Sequence, residues 1–200
     1  EIDNFYTTTI YEKGAEIIRM LKTLVTEEGF KNGFKQYISE YDGKAATIDQ
    51  FVEKILINNK EINIEEFKNW YKQNGTPLVK FKRIWDRDKQ ILTIEASQIN
   101  SNIKTIFNDL PLIIPINIGI FLNNNKIINK TFILKEKKEY FIIKNIKTNF
   151  NKPIITYFRN FSAPVEWETD TTFSEKLLIL EYEKDYFTIY DTIKGIYKNI

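Results

Sequence analysis

Apolar residues in positions 1–76 recur at helical spacing. After Tyr11, the residues Gly14, Ile18, Leu21 and Val25 fall three or four apart, the stripe that an amphipathic helix turns toward a core. Thr26 followed by Glu27 and Glu28 reads as the N-cap of a second helix. That helix buries Phe30, Phe34, Tyr37, Ile38 and Tyr41 before Asp42-Gly43 stops it. Thr47-Ile48-Asp49-Gln50 has the form of a capping box and opens a third helix, with Phe51, Val52, Ile55 and Leu56 on one face. Asn63 with Glu66 caps a fourth, which carries Phe67, Trp70 and Tyr71, the last two closing the helical part onto the region after Pro77. Asn74-Gly75-Thr76-Pro77 ends the helices, since glycine suits a left-handed C-terminal cap and proline cannot continue a helix.

From Leu78 the period becomes two. Val79, Phe81 and Arg83 alternate with Leu78, Lys80 and Lys82, and Ile91, Thr93 and Glu95 alternate with Leu92, Ile94 and Ala96. The break at Asp86-Arg87-Asp88-Lys89 predicts a hairpin between them. Further strands are expected at 112–121, 127–134, 139–144 and 154–158, separated by turns such as Asn123-Asn124-Asn125. Short strands at this spacing predict a small antiparallel β-sandwich, with Pro115 marking an edge or a bulge. Past Pro164 the pattern is helical again. One run opens at Phe173-Ser174-Glu175 and carries Leu177, Leu178 and Leu180; the next carries Tyr186, Phe187, Tyr190, Ile193 and Tyr197. Those two helices either fold onto the sandwich or begin a longer helical array. The fold class is α+β.

Composition narrows the chemistry. The 200 residues are 42% hydrophobic and 28% charged, ordinary for a globular chain and unlike a disordered one. A net charge of +2 is too mild to call for a nucleic-acid partner. No apolar run is long enough to span a bilayer and no signal peptide is evident, so a cytoplasmic protein with no membrane partner is expected. The start at Glu1, without methionine, suggests a piece of something longer. With no cysteine and no histidine, disulfides, thiolate catalysis, imidazole bases and the common zinc ligands are excluded for these residues.

Few side chains remain for chemistry. Tyr11, at a helix entry, has the plain reading of a half-buried amphipathic anchor. Its functional reading is electrophilic, because a phenol keeps its proton at neutral pH and can donate to an oxyanion, an interaction worth about 2.7–4 kcal/mol. Glu12, Glu16, Glu27 and Glu28 read as helix-start acids and solvated faces in preference to metal ligands. Lys135-Glu136-Lys137-Lys138-Glu139 is a mixed-charge turn. Phe81, Trp85 and the basic residues beside them mix aromatics with positive charge as single-strand binders do, but read better as a half-exposed edge strand.

Several motifs occur together and in order: Asn4-Phe5-Tyr6-Thr7 with Tyr11-Glu12-Lys13-Gly14-Ala15-Glu16, Asp42-Gly43 with Ala45-Ala46-Thr47, Trp70-Tyr71 with Gly75-Thr76-Pro77, and Phe161-Ser162-Ala163-Pro164-Val165. In them the chain resembles the zinc-dependent aminopeptidase N family over essentially its whole length. The resemblance implies that residues 1–76 are the C-terminal helices of a thermolysin-like catalytic domain, 77–165 a β-sandwich domain and 166–200 the start of a C-terminal helical domain. It also implies that Tyr11 is the catalytic tyrosine and that Tyr6 lines the pocket for the substrate's first side chain. The implied cofactor is zinc in the full-length enzyme. The family's His-Glu-x-x-His site with its downstream glutamate, and its Gly-x-Met-Glu-Asn segment, are absent here. This chain alone is therefore expected neither to bind catalytic zinc nor to cleave peptides. Its partners would be the rest of the catalytic domain, packed on an apolar face near the Tyr11 helix, and peptide substrates of the whole enzyme. The competing reading is a non-catalytic helical and β-sandwich interaction module.

Overall fold

The computed structural model describes residues 9–57, 59, 61–73, 75–100, 110–123 and 126–197. A π-helical turn, Thr9–Lys13, runs into α1, Gly14–Tyr41. Thr26 breaks α1 with φ 68 and ψ 168, a region nearly reserved for glycine, so α1 is two helical segments joined at a kink and the expected second helix begins there. The Thr26 hydroxyl accepts from the Gly29 N–H at 3.4 Å, the expected capping role, and Asn59 donates to the Leu24 carbonyl at 3.0 Å on the near side of the kink. The buried face of α1 is Ile17, Met20, Leu21, Leu24 and Val25, which includes the expected Leu21 and Val25 but takes Ile17 in place of Ile18, so Ile18 is exposed. Phe34 and Ile38, expected inside, are exposed as well, because the described neighbour on that side is the single short helix α2. Phe51 of α2 meets Phe30, Phe34 and Tyr37 edge-on.

α2, Ile48–Leu56, opens on the expected box, with Thr47 and Gln50 each accepting the other's backbone N–H. Asn63 caps α3, Ile64–Phe67, and α4, Asn69–Lys72, comes next in place of one longer helix. From α4 and the residue after it, side chains clamp the segment that leads into the sandwich. The Trp70 indole donates to the Ile113 carbonyl at 2.9 Å, Asn69 to that of Pro111 at 3.4 Å and Gln73 to that of Leu110 at 2.8 Å.

The sandwich holds two sheets. In the first the order is β5-β2-β1-β7, built from β1 Leu78–Asp86, β2 Ile91–Ile99, β5 Lys138–Ile143 and β7 Glu166–Glu168. In the second it is β4-β3-β6, from β3 Ile114–Asn123, β4 Lys126–Leu134 and β6 Ile154–Thr156. The β1–β2 hairpin turns where Asp86–Lys89 predicted it, with the Asp86 carboxylate accepting from the Lys89 N–H at 3.0 Å. Two expectations are refined. Among the described residues β7 pairs with β1 only at Leu78–Lys80, so β1 is a half-exposed edge from Phe81 onward as expected, while Phe81 itself lies buried against Tyr157 with ring centroids 4.1 Å apart. The sandwich is antiparallel except for β7, which the alternation did not reveal and which runs parallel to β1.

Pro115 sits in β3, the central strand of the second sheet, on a stretch where β4 is the one strand partner among the described residues, so β3 is locally an edge there as expected. β6 pairs only with Gly119–Phe121, and beyond its end the buried Ser162 hydroxyl stands in for a strand. It donates to the Pro115 carbonyl at 2.9 Å and accepts from the Asn117 N–H at 3.1 Å.

The last two helices, α5 Phe173–Tyr182 and α6 Tyr186–Tyr197, fold onto this sandwich. Ile179 of α5 packs with Phe121 and Ile154. Arg83, pointing inward from β1 with its side chain 1% exposed, donates to Asp170 at 2.7 Å and in a fork to Glu175 at 3.0 and 2.9 Å. Burial works against the Glu175 carboxylate, but the Arg83 guanidinium outweighs it and holds its pKa below the ordinary 4.5. No described helix is long and apolar enough to cross a membrane.

Candidate functional site

Tyr11 stands on the π-helical turn Thr9–Lys13, a geometry that is rare and often marks functional sites. Its side chain is 61% exposed, whereas Ile17, Met20 and Leu21 on the next turns are buried. One face of α1 is thus anchored in the core while the phenol is presented at the helix entry. Tyr6 lies outside the described residues.

Two basic side chains hold this end of α1. Lys13 Nζ donates to the carbonyl oxygen of Gly75, 62 residues away, and burial pushes the ammonium pKa below the ordinary lysine value. Gly75 has φ 87, so the direction of its carbonyl depends on glycine's freedom in the left-handed region. Further along, Arg19 donates to the Asn160 carbonyl at 2.9 Å and to its side-chain oxygen at 3.0 Å, and lies 5.9 Å over the Phe161 ring.

The receiving loop is strained, with Phe158, Asn160 and Phe161 at φ 52, 54 and 47. Several bonds over-determine it. The Asn160 N–H donates to both oxygens of Asp185, at 3.0 and 3.1 Å, and Asp185 in turn accepts from the N–H and hydroxyl of Thr188 on α6. Burial opposes the Asp185 charge, but the hydrogen bonds from Thr188 and Asn160 prevail and keep its pKa low. The helix that carries Tyr11 is therefore tied to both the sandwich and the C-terminal helices.

The acids give no metal centre. Glu16 pairs with Arg19 at 3.5 Å, and Glu27 pairs with Lys22 at 3.5 Å and Lys31 at 3.0 Å. Among the described residues no group of three or more His, Cys, Asp or Glu side chains could hold a metal ion. With no histidine in the chain, these residues do not fit an imidazole-based zinc site.

Residues 1–71 match the family model of the peptidase family M1 domain, and residues 75–170 match a domain of unknown function (DUF3458) with an Ig-like fold. Aminopeptidase N of Haemophilus influenzae is 32% identical and that of Escherichia coli (strain K12) 30% identical, each over 98% of this chain. The chain belongs to peptidase family M1. It spans 23% of the length of these aminopeptidase N relatives. The structure superposes with a TM-score of 0.84 on Legionella pneumophila aminopeptidase A, solved in complex with aspartic acid, at 23% identity over 98% of this chain and 22% of that one. That likeness supports the fold.

The family resemblance singled out Tyr11 and Tyr6 but gave Lys13 and Arg19 no role. Lys13 lies inside the Tyr-Glu-Lys-Gly-Ala motif, yet its partner is 62 residues away and no local spacing points to it.

Proposed function

We propose that the whole protein is a zinc aminopeptidase that removes N-terminal residues from peptides, and that this chain supplies one wall of its active site. The observation that carries the reading is the exposed Tyr11 on a π-helical turn, ahead of a helix whose other face is locked into the core. When water adds to the scissile carbonyl, the Tyr11 phenol would donate a hydrogen bond to the oxyanion, and Tyr6 would shape the pocket for the first side chain. The proposed domain reading assigns 1–76 to the catalytic domain, 77–165 to the sandwich and 166–200 to a helical domain; the matches over 1–71 and 75–170 support the first two, and β7 carries the sandwich on to Glu168. The metal, its ligands, the base and the group that holds the substrate amine would lie on residues outside this chain, which alone is proposed to be inactive.

The test is Tyr11→Phe in the full-length enzyme. The contact forms mainly in the transition state, so kcat should fall by about 100- to 1000-fold with KM nearly unchanged. Unchanged kcat would overturn the role of Tyr11.

A further inference from the structure

We infer that Lys13 is a positioning residue for Tyr11: by hydrogen-bonding the Gly75 carbonyl, it fixes the turn that carries the phenol against the entry to the sandwich. The inference rests on the catalytic reading of Tyr11. Both residues belong to the five-residue turn Thr9–Lys13, so displacing one displaces the other. On that turn Tyr11 and Glu12 are exposed, and a Cβ added at the adjoining Gly14 would meet nothing within 4 Å.

The acceptor, by contrast, is held on both sides. Before Gly75, Trp70 and Gln73 donate to the Ile113 and Leu110 carbonyls. After it, the Glu166 N–H donates to the Pro77 carbonyl at 3.0 Å, and β1 begins with Leu78 paired to Glu166. Lys13 spends a half-buried charge on a neutral carbonyl. Partial burial of an ammonium is unfavourable unless it is hydrogen-bonded, and a carbonyl partner offers direction in place of charge balance. Such a tie matters because an oxyanion donor must sit within about 2.7–3.1 Å of the developing charge, and a shift on the order of 1 Å can cost about 100-fold.

The experiment is a double-mutant cycle in the full-length enzyme with Lys13→Met and Tyr11→Phe. Lys13→Met should lower kcat by about 10- to 100-fold with KM within about twofold, and should add almost nothing once Tyr11 is phenylalanine. Lys13→Arg, which can still reach a carbonyl, should recover most of the rate. An equal loss in both Tyr11 backgrounds, a loss carried by KM, or no loss at all would overturn the inference. If Lys13→Met does not fold, Lys13→Leu, which likewise has no donor, carries the same cycle with the same criteria. The two readings fail separately. Unchanged kcat in Tyr11→Phe removes the catalytic tyrosine, whereas a large Tyr11→Phe loss that is purely additive with Lys13→Met removes only the positioning role.

Discussion

Replacing Gly33 by alanine puts a Cβ 2.6 Å from the Lys54 carbonyl oxygen and 2.7 Å from Ile55 Cα. Both are backbone atoms of α2, so no side chain can rotate away, and relief requires α1 and α2 to move apart. Separation would loosen the buried seam of Leu21, Leu24, Val52, Ile55 and Leu56. Overpacking of this kind typically costs about 1–3 kcal/mol. Against it stands the gain of about 1 kcal/mol from alanine over glycine inside a helix. The clash wins, because the shortfall in distance falls on two rigid atoms at once and so takes the upper part of that range, about 2–3 kcal/mol, which leaves a net loss of about 1–2 kcal/mol.

For a chain of this size that lowers Tm by roughly 2–8 °C in thermal unfolding followed by circular dichroism. Gly29, four residues earlier on the same helix, is the internal control. A Cβ there would lie 3.4 Å from Val25 Cβ, ordinary contact, so Gly29→Ala should raise Tm by roughly 2–4 °C. A Gly33→Ala chain that melts at or above the parent, or a Gly29→Ala chain that falls equally far, would refute the reasoning about helix approach.

Three further outcomes are expected. Ser162→Ala should destabilise by about 1–3 kcal/mol in urea titration, because it takes the acceptor from the Asn117 N–H and the donor from the Pro115 carbonyl; a neutral result would mean that the loop beside β3 closes the gap by itself. Trp70→Phe should lower the urea midpoint through loss of the buried bond to the Ile113 carbonyl, by about 1–3 kcal/mol, and an unchanged midpoint would remove this clamp from the joint. The Arg83 cluster should make the chain acid-labile. The folded pKa of Glu175 is depressed below 4.5, so its contribution is present above that pH and is lost as pH falls through the lower folded value. Glu175→Gln should flatten that acid limb, and Arg83→Met, which leaves Asp170 and Glu175 with Lys152 at 3.8 and 3.9 Å as their remaining cation, should cost about 3 kcal/mol at neutral pH. An acid limb of the same steepness in Glu175→Gln would assign the lability to other groups.

Local signals read directly from the chain. The capping box at Thr47 and Gln50, the cap at Asn63, the hairpin at Asp86–Lys89 and the helix after Thr172 each depend on residues a few positions apart, and the structure places them where the pattern does. The Tyr-Glu-Lys-Gly-Ala segment and the later motifs likewise pointed to family M1 without any coordinates.

Partners across the chain were not legible. Alternation showed that β1 is a strand, but only packing on Tyr157 and Phe158 and pairing with Asp170 and Glu175 turned Phe81 and Arg83 into core. Pro115 announced a missing donor; that a serine hydroxyl from residue 162 carries the ladder past it was decided by folding. On α1 the pattern found Leu21 and Val25 but took Ile18 in place of Ile17, because either isoleucine lies one helical turn from Leu21, and only the packing partner breaks the tie. Lys13 reaching Gly75 and Arg19 reaching Asn160 are of the same kind. The sequence alone determined periods, caps and a family, because those reside in neighbouring residues. The tertiary structure decided strand order, the buried face and what holds Tyr11, because hydrophobic burial is non-directional and a hydrogen bond between distant residues exists only once the chain has closed on itself.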